Sequence, residues 1–322
     1  MTATLFKQNR RRHIAVLGVA GGSLLDMADS RLRARTIRAG DLEFGVLEAG
    51  PARGPLALCL HGFPDSAHTW RHLLPELAGA GFRAVAPFMR GYAPTGIPPD
   101  GEYGIGALAA DAIALHDALG GDADAVLIGH DWGAEAAYAA AAHAPGLWRR
   151  LVTLAVPPAR LDELLFSDYE QLRRFFYIFM FRDPAGFAEA LVAAGDMAFL
   201  DMLWRDWSPG YDASAERAHV KECLRDPSRL AAAIGYYRAA GAAAGGRYAA
   251  EERAALEQAP QPTLYLHGAD DGCISADLAR RAKNLLTQDS QLVVLENAGH
   301  FLHLERPEEA GAHILAWVRT DL

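Results

Sequence analysis

Short, unbroken apolar runs alternate along this chain with longer stretches whose apolar positions recur every three or four residues. Runs at 56–60, 84–88, 125–128, 151–156, 263–266 and 292–295 carry turn or loop signals at their ends. Such runs read as strands covered on both faces. Stretches 70–80, 105–119, 134–143, 276–286 and 307–320 have helical spacing. Strand and helix in alternation predict the α/β class, with a mostly parallel, doubly wound sheet. Ahead of these elements, segments 33–38 and 42–48 mix polar and apolar residues on either side of Ala39-Gly40-Asp41, which predicts a hairpin.

The alternation stops after residue 156 and resumes at 263. Residues 159–258 read as helices only, an inserted all-helical cap domain. Pro157 and Pro158 stand at its start, Pro260 and Pro262 just beyond its end, and Pro184, Pro209 and Pro227 divide it. The expected organisation is an N-terminal extension (1–30), a core built from 31–158 and 259–322, and the cap (159–258). The Ala- and Gly-rich stretch 239–246 has flanks of helical pattern, and no repeat of solenoid or propeller length is present. In the extension, Lys7, Arg10, Arg11 and Arg12 precede a mildly apolar run from Ile14 to Leu25, the shape of an export signal. Gly18, Gly21, Gly22 and Ser23 break that run and no convincing small-x-small cleavage site follows, so a cytoplasmic location is expected, with export as the alternative.

Composition narrows the class of partner. The 322 residues, 51% hydrophobic and 22% charged, suffice for a sizeable core. Thirty-one basic against 40 acidic residues give a formal charge of −9, which disfavours a phosphate backbone as ligand, so no nucleic-acid partner is expected. Cys59, Cys223 and Cys273 form no CxxC pair, so neither a disulfide framework nor a structural zinc site is supported. No apolar run is long enough for a membrane span. No metal and no organic cofactor is expected.

The sharpest motif is Gly129-His130-Asp131-Trp132-Gly133, directly after the strand run 125–128 and before a helical stretch. It fits G-x-Nuc-x-G, in which small residues two before and two after the centre permit a sharp strand-to-helix turn that pushes the central side chain into a site. Here the centre is Asp131 instead of a serine. Taken alone, the pentapeptide reads equally as a glycine-bounded turn with Asp131 as helix N-cap. Three further loops shift that balance. His61-Gly62-Phe63-Pro64 follows the run 56–60 and can aim the Phe63 amide at the same point as the Trp132 amide, the two donors of an oxyanion hole. Asn297-Ala298-Gly299-His300-Phe301 follows the last strand and puts His300 on a loop at the strand C-terminal edge, with His303 and His313 as competitors. Gly268-Ala269-Asp270-Asp271-Gly272 follows the run 263–266 and supplies an acid, which residue physics alone leaves open between Asp270 and Asp271. The chain order is then nucleophile, acid, histidine.

Together with Arg90-Gly91-Tyr92 and Glu305-Arg306-Pro307, these residues resemble the α/β-hydrolase superfamily and, within it, the epoxide hydrolase branch, over residues 56–317. The resemblance implies an α/β-hydrolase fold with an inserted helical cap, an Asp131 nucleophile, Asp271 as the acid and His300 as the base. It also implies two cap tyrosines that hold an epoxide oxygen. Phe176-Tyr177-Ile178-Phe179-Met180-Phe181-Arg182-Asp183-Pro184 resembles the first tyrosine segment, and Gly235-Tyr236-Tyr237-Arg238 the second. The roles fall on Tyr177 and Tyr237, with Tyr236 the near rival and helix packing the alternative use of these rings. The implied activity is hydrolysis of a small apolar epoxide to a vicinal diol through an alkyl ester on Asp131, with water as co-substrate.

Phe175, Phe176, Phe179, Met180, Trp204 and Trp207 suggest an apolar pocket, and Phe176, Met180, Phe63 and Trp132 are taken as substrate-binding residues. Asp65, Ala93 and Arg182 stand where the family commonly has Glu, Gly and Gln; none of these departures removes a required group. A dehalogenase is the first rival, since the same ester chemistry serves carbon–halogen bonds. Against it, Phe63 replaces the halide-binding Asn of haloalkane dehalogenases, and Trp132 the Arg typical of haloacetate dehalogenases. A non-catalytic homologue that binds a small ligand is the second rival. The sequence is compatible with a homodimer without dictating one.

Overall fold

β1 (Arg33–Ala39) and β2 (Leu42–Ala49) pair antiparallel with Ala39 opposite Leu42, closed by Gly40 in the left-handed region (φ 54°) and Asp41. The outer strand exposes Arg33, Arg35 and Arg38, charges that discourage further pairing at a sheet edge. The next strands are β3 (Leu56–Leu60), β4 (Arg83–Pro87), β5 (Val126–His130), β6 (Arg150–Leu154), β7 (Thr263–Gly268) and β8 (Gln291–Leu295). In the computed structural model, which describes residues 32–158, 168–240 and 246–320, these form one eight-stranded sheet in the order β1-β2-β4-β3-β5-β6-β7-β8. β2 runs antiparallel to β4, and every pair from β4 to β8 is parallel. The expected N-terminal extension, with its basic and apolar segments, and most of the stretch 239–246 lie outside the described residues.

β3 and β5 are wholly buried, which is why their runs show no polar alternation. Strand order reverses beside β3, whose neighbours are β4 on one side and β5 on the other. Ligand sites in open α/β sheets lie beyond the strand C-termini at such a switch point. The helices α1 (Leu73–Gly79), α2 (Ile105–Ala118) and α3 (Trp132–His143) follow β3, β4 and β5. α2 and α3 pack on each other and on the central strands, whereas α1 packs on β4 and on the last helix of the chain.

Only helices stand between β6 and β7 among the described residues: α4 (Tyr169–Arg174), α5 (Phe176–Phe181), α6 (Phe187–Trp207), α7 (Ser214–Leu224), α8 (Pro227–Ala239) and α9 (Ala249–Ala254). α9 packs chiefly on α2 and α3, so this end of the insertion lies against the core layer. α6 is broken where Gly195, Asp196 and Met197 all adopt left-handed backbone, a break that apolar periodicity does not reveal. After β7 come α10 (Ala276–Arg281), α11 (Leu302–Glu305) and α12 (Pro307–Val318).

Two expected helices differ in detail. The stretch 70–80 divides into a 3-10 turn, Ala67–Trp70, and α1; the stretch 276–286 is α10 followed by a 3-10 turn, Ala282–Leu285. Apolar spacing of three or four residues serves both kinds of helix, so it does not separate them. No helix among the described residues is long and apolar enough to cross a membrane.

Candidate active site

The turn after β5 places Asp131 at φ 52° and ψ −122°, a conformation costly for a residue with a Cβ. Glycine on both sides makes it attainable: a Cβ on Gly129 would collide with the Gly133 carbonyl, and one on Gly133 with the Leu60 carbonyl. A Cβ on Gly62 would collide with the Asp131 carboxylate itself. Asp131 is 7% exposed and sits at the N-terminus of α3, where the helix dipole favours negative charge.

Asp131 Oδ1 accepts a hydrogen bond from the Phe63 amide at 2.8 Å. The Phe63 loop is held in turn by His61, whose Nδ1 meets the Gly62 carbonyl at 2.9 Å while Nε2 accepts from the Met89 amide at 3.0 Å. The Phe63–Pro64 bond is cis. Trp132 is the first residue of α3, a position whose amide has no acceptor within the helix.

The other oxygen, Asp131 Oδ2, lies 3.6 Å from His300 Nε2. His300 Nδ1 meets Asp271 Oδ2 at 2.9 Å, and Asp271 Oδ1 accepts from the amides of Cys273 (2.7 Å) and Ile274 (2.9 Å). Asp270 is exposed and Asp271 is 2% exposed, so geometry separates two carboxylates that the sequence leaves equivalent. Of the competing histidines, His303 is engaged by the Thr69 hydroxyl at 2.6 Å and stacks on Trp70, while His313 lies within α12.

Burial would raise the pKa of both carboxyl groups, but the facing imidazole outweighs it and holds Asp131 and Asp271 below the usual carboxylate range. Burial pulls His300 down, yet the two carboxylates overcome it and push the imidazole up to about 10. With both carboxylates ionised, the ring is therefore a cation at neutral pH.

Tyr177 and Tyr237 are both buried, with ring centroids 5.6 Å apart. The Tyr237 ring also meets Trp132 (5.0 Å), Phe63 (5.4 Å) and Phe181 (5.1 Å). The Tyr177 hydroxyl lies 3.5 Å from Cys273 Sγ. The Tyr237 hydroxyl has Tyr177 and Trp132 as polar neighbours but no well-formed hydrogen bond. Burial drives the pKa of both phenols well above its ordinary value, so each remains a protonated donor. Tyr236 points elsewhere, its hydroxyl donating to the Arg90 carbonyl at 2.8 Å.

Phe176 is half-exposed and packs edge-on against Tyr177 and Phe199, and Met180 is partly buried. The ring that meets both tyrosines and Phe63 is Phe181, and Trp207 lies between Tyr177 (5.1 Å) and His300 (5.0 Å). Sequence reasoning missed Phe181; its four-residue spacing from Tyr177 on one helix face is the available signal. The three cysteines are buried and free. The site thus presents a carboxylate aimed at an imidazole, an amide donor on that carboxylate, and two buried phenols near enough to feel its charge.

Comparison with known proteins places this geometry in context. The family described as the alpha/beta hydrolase fold matches residues 55–307. Epoxide hydrolase A of Mycobacterium tuberculosis is 28% identical over 321 residues, covering 88% of this chain and 96% of the relative. Epoxide hydrolase 4 of Mus musculus is 27% identical, covering 88% and 79%. The crystal structure of Epoxide Hydrolase A from Mycobacterium thermoresistibile superposes with a TM-score of 0.76 at 27% identity, covering 90% of this chain and 98% of that one.

Proposed function

This chain belongs to the α/β-hydrolase fold family, a hydrolase acting on ether bonds, and we propose that it opens small apolar epoxides to vicinal diols through an alkyl ester on Asp131. The observation that carries this reading is the pair of buried phenols, Tyr177 and Tyr237, near the Asp131–His300–Asp271 array. Opening a three-membered ether builds alkoxide character on its oxygen, and in a dry site protonated phenols are the groups able to quench it. A departing halide has no comparable use for two phenolic donors, which favours an epoxide over a carbon–halogen substrate.

The first step is attack of Asp131 Oδ2 on an epoxide carbon, forming an ester bond as the carbon–oxygen bond breaks. A tyrosine gives its proton to the released oxygen. Oδ1, already held by the Phe63 amide, becomes the ester carbonyl oxygen. In the second step His300, whose resting proton leaves to solvent once the ester has removed the Asp131 charge and returns from solvent when that charge is restored, takes a proton from water, and the resulting hydroxide adds to the ester carbon. The amides of Phe63 and Trp132 receive the oxyanion. Collapse expels the diol, which takes the proton from His300, and the carboxyl proton left on Asp131 restores the tyrosine. Asp271 keeps the imidazole oriented throughout.

A single turnover in heavy-oxygen water with a styrene-type epoxide tests this course. The label should appear in the Asp131 carboxylate and be absent from the first diol. Label in that first diol would mean direct hydration and overturn the ester. A haloalkane run in parallel should leave Asp131 unmodified.

A further inference from the structure

We propose that Ser208 and Glu305 are positioning residues for His300, which tie the hydrolytic step to the end of cap helix α6. The inference rests on the ester reading above. Its basis is the disposition of three successive backbone amides. Gly299 N–H donates to Glu305 Oε2 (2.8 Å), His300 N–H to the Trp207 carbonyl (2.9 Å), and Phe301 N–H to Ser208 Oγ (3.2 Å). Ser208 Oγ in turn donates to Glu305 Oε1 at 2.6 Å, closing the ring of acceptors. On the far side, the His300 carbonyl meets His130 Nε2 at 3.0 Å.

Two of the three acceptors therefore belong to the terminus of α6, not to the sheet from which the histidine loop springs. Contact here is close enough that a Cβ on Gly299 would stand 2.6 Å from Ser208 Cα. The same Trp207 carbonyl accepts the Gly272 amide at 3.1 Å, next to Asp271. One turn of backbone thus holds both loops that build the Asp271–His300 pair. Ser208 is buried, and Glu305, partly buried, has both carboxylate oxygens engaged.

The consequence is asymmetric. Asp131 and the tyrosines form the ester without a base, whereas its breakdown needs His300 Nε2 aimed at a water beside the ester carbon. Losing the Ser208 hydroxyl frees the Phe301 amide and unties Glu305 from α6, so the ring shifts while Asp131, in the turn after β5, stays in place. A misplacement of about 1 Å costs on the order of 100-fold in a step that depends on it.

The test is rapid-quench mass spectrometry of Ser208→Ala, Ser208→Thr and Glu305→Gln beside the wild-type chain, with a styrene-type epoxide. In Ser208→Ala, ester formation should stay within about twofold of wild type, while its decay slows roughly 10- to 100-fold and ester accumulates. Ser208→Thr, which keeps the hydroxyl, should restore decay, and Glu305→Gln should fall between. Equal slowing of both steps, or decay unchanged in Ser208→Ala, would overturn the proposal while the ester reading stands. Diol production by the wild-type chain without any ester on Asp131 would remove the premise instead.

Discussion

Replacing Asp131 by Asn removes a charge but keeps the side chain's shape, and so imitates the electrostatics of the esterified site at His300. In the unreacted site the imidazole faces two carboxylates, at 2.9 and 3.6 Å, and titrates near 10. Two unit charges 3.6 Å apart interact by roughly 5 kcal/mol at an effective dielectric constant of about 20, and by about 1 kcal/mol in water. At about 1.4 kcal/mol per pH unit, losing the Asp131 charge should lower the His300 pKa by roughly 1–3 units. Asp271 remains, so the pKa stays above that of a free imidazole less its burial penalty. The same fall accompanies ester formation, and it converts a resting cation into a base able to take a proton from water near neutral pH. Histidine ring titrations by NMR in the wild-type chain and Asp131→Asn, with His300→Ala to identify the resonance, measure it directly. An unchanged or higher His300 pKa in Asp131→Asn would refute the idea that ester formation switches the base on.

Other perturbations separate the two halves of the reaction. Tyr177→Phe and Tyr237→Phe should each slow ester formation, by on the order of 10²-fold if the loss resembles that of an oxyanion donor, while the decay of ester already formed changes little; single-turnover ester yields against time distinguish the steps. Gly62→Ala should abolish turnover, because the added methyl collides with the Asp131 carboxylate beside the Phe63 amide; near-normal kcat/KM in a folded variant would contradict the placement of that loop.

The sheet was legible because buried parallel strands leave short apolar runs between turn residues, and the elbow because Gly129 and Gly133 mark a turn that tolerates no side chain on either flank. Strand ends shifted by one or two residues, since hydrogen bonding, not hydrophobicity, sets them. Less of the site was readable. Asp270 and Asp271 are chemically alike, and only the direction of the loop toward His300 distinguishes them. Tyr236 and Tyr237 are likewise adjacent; what separates them is the Arg90 carbonyl, which captures one hydroxyl. The grip of Trp207 and Ser208 on the histidine loop left no trace in spacing, because its acceptors include a backbone carbonyl, which every residue carries. The break in α6 escaped for a similar reason: apolar periodicity continues across it.

The bonds that assemble this site join positions far apart along the chain: Phe63 to Asp131 over 68 residues, Ser208 to Glu305 over 97, His130 to the His300 carbonyl over 170. No piece of the polypeptide shorter than 63–305 holds all of these partners. Contacts of such separation form late, after the loops between them have closed. During renaturation from denaturant, helical signal should therefore return ahead of turnover, and the recovery of activity marks the moment at which the two ends of the molecule have found each other.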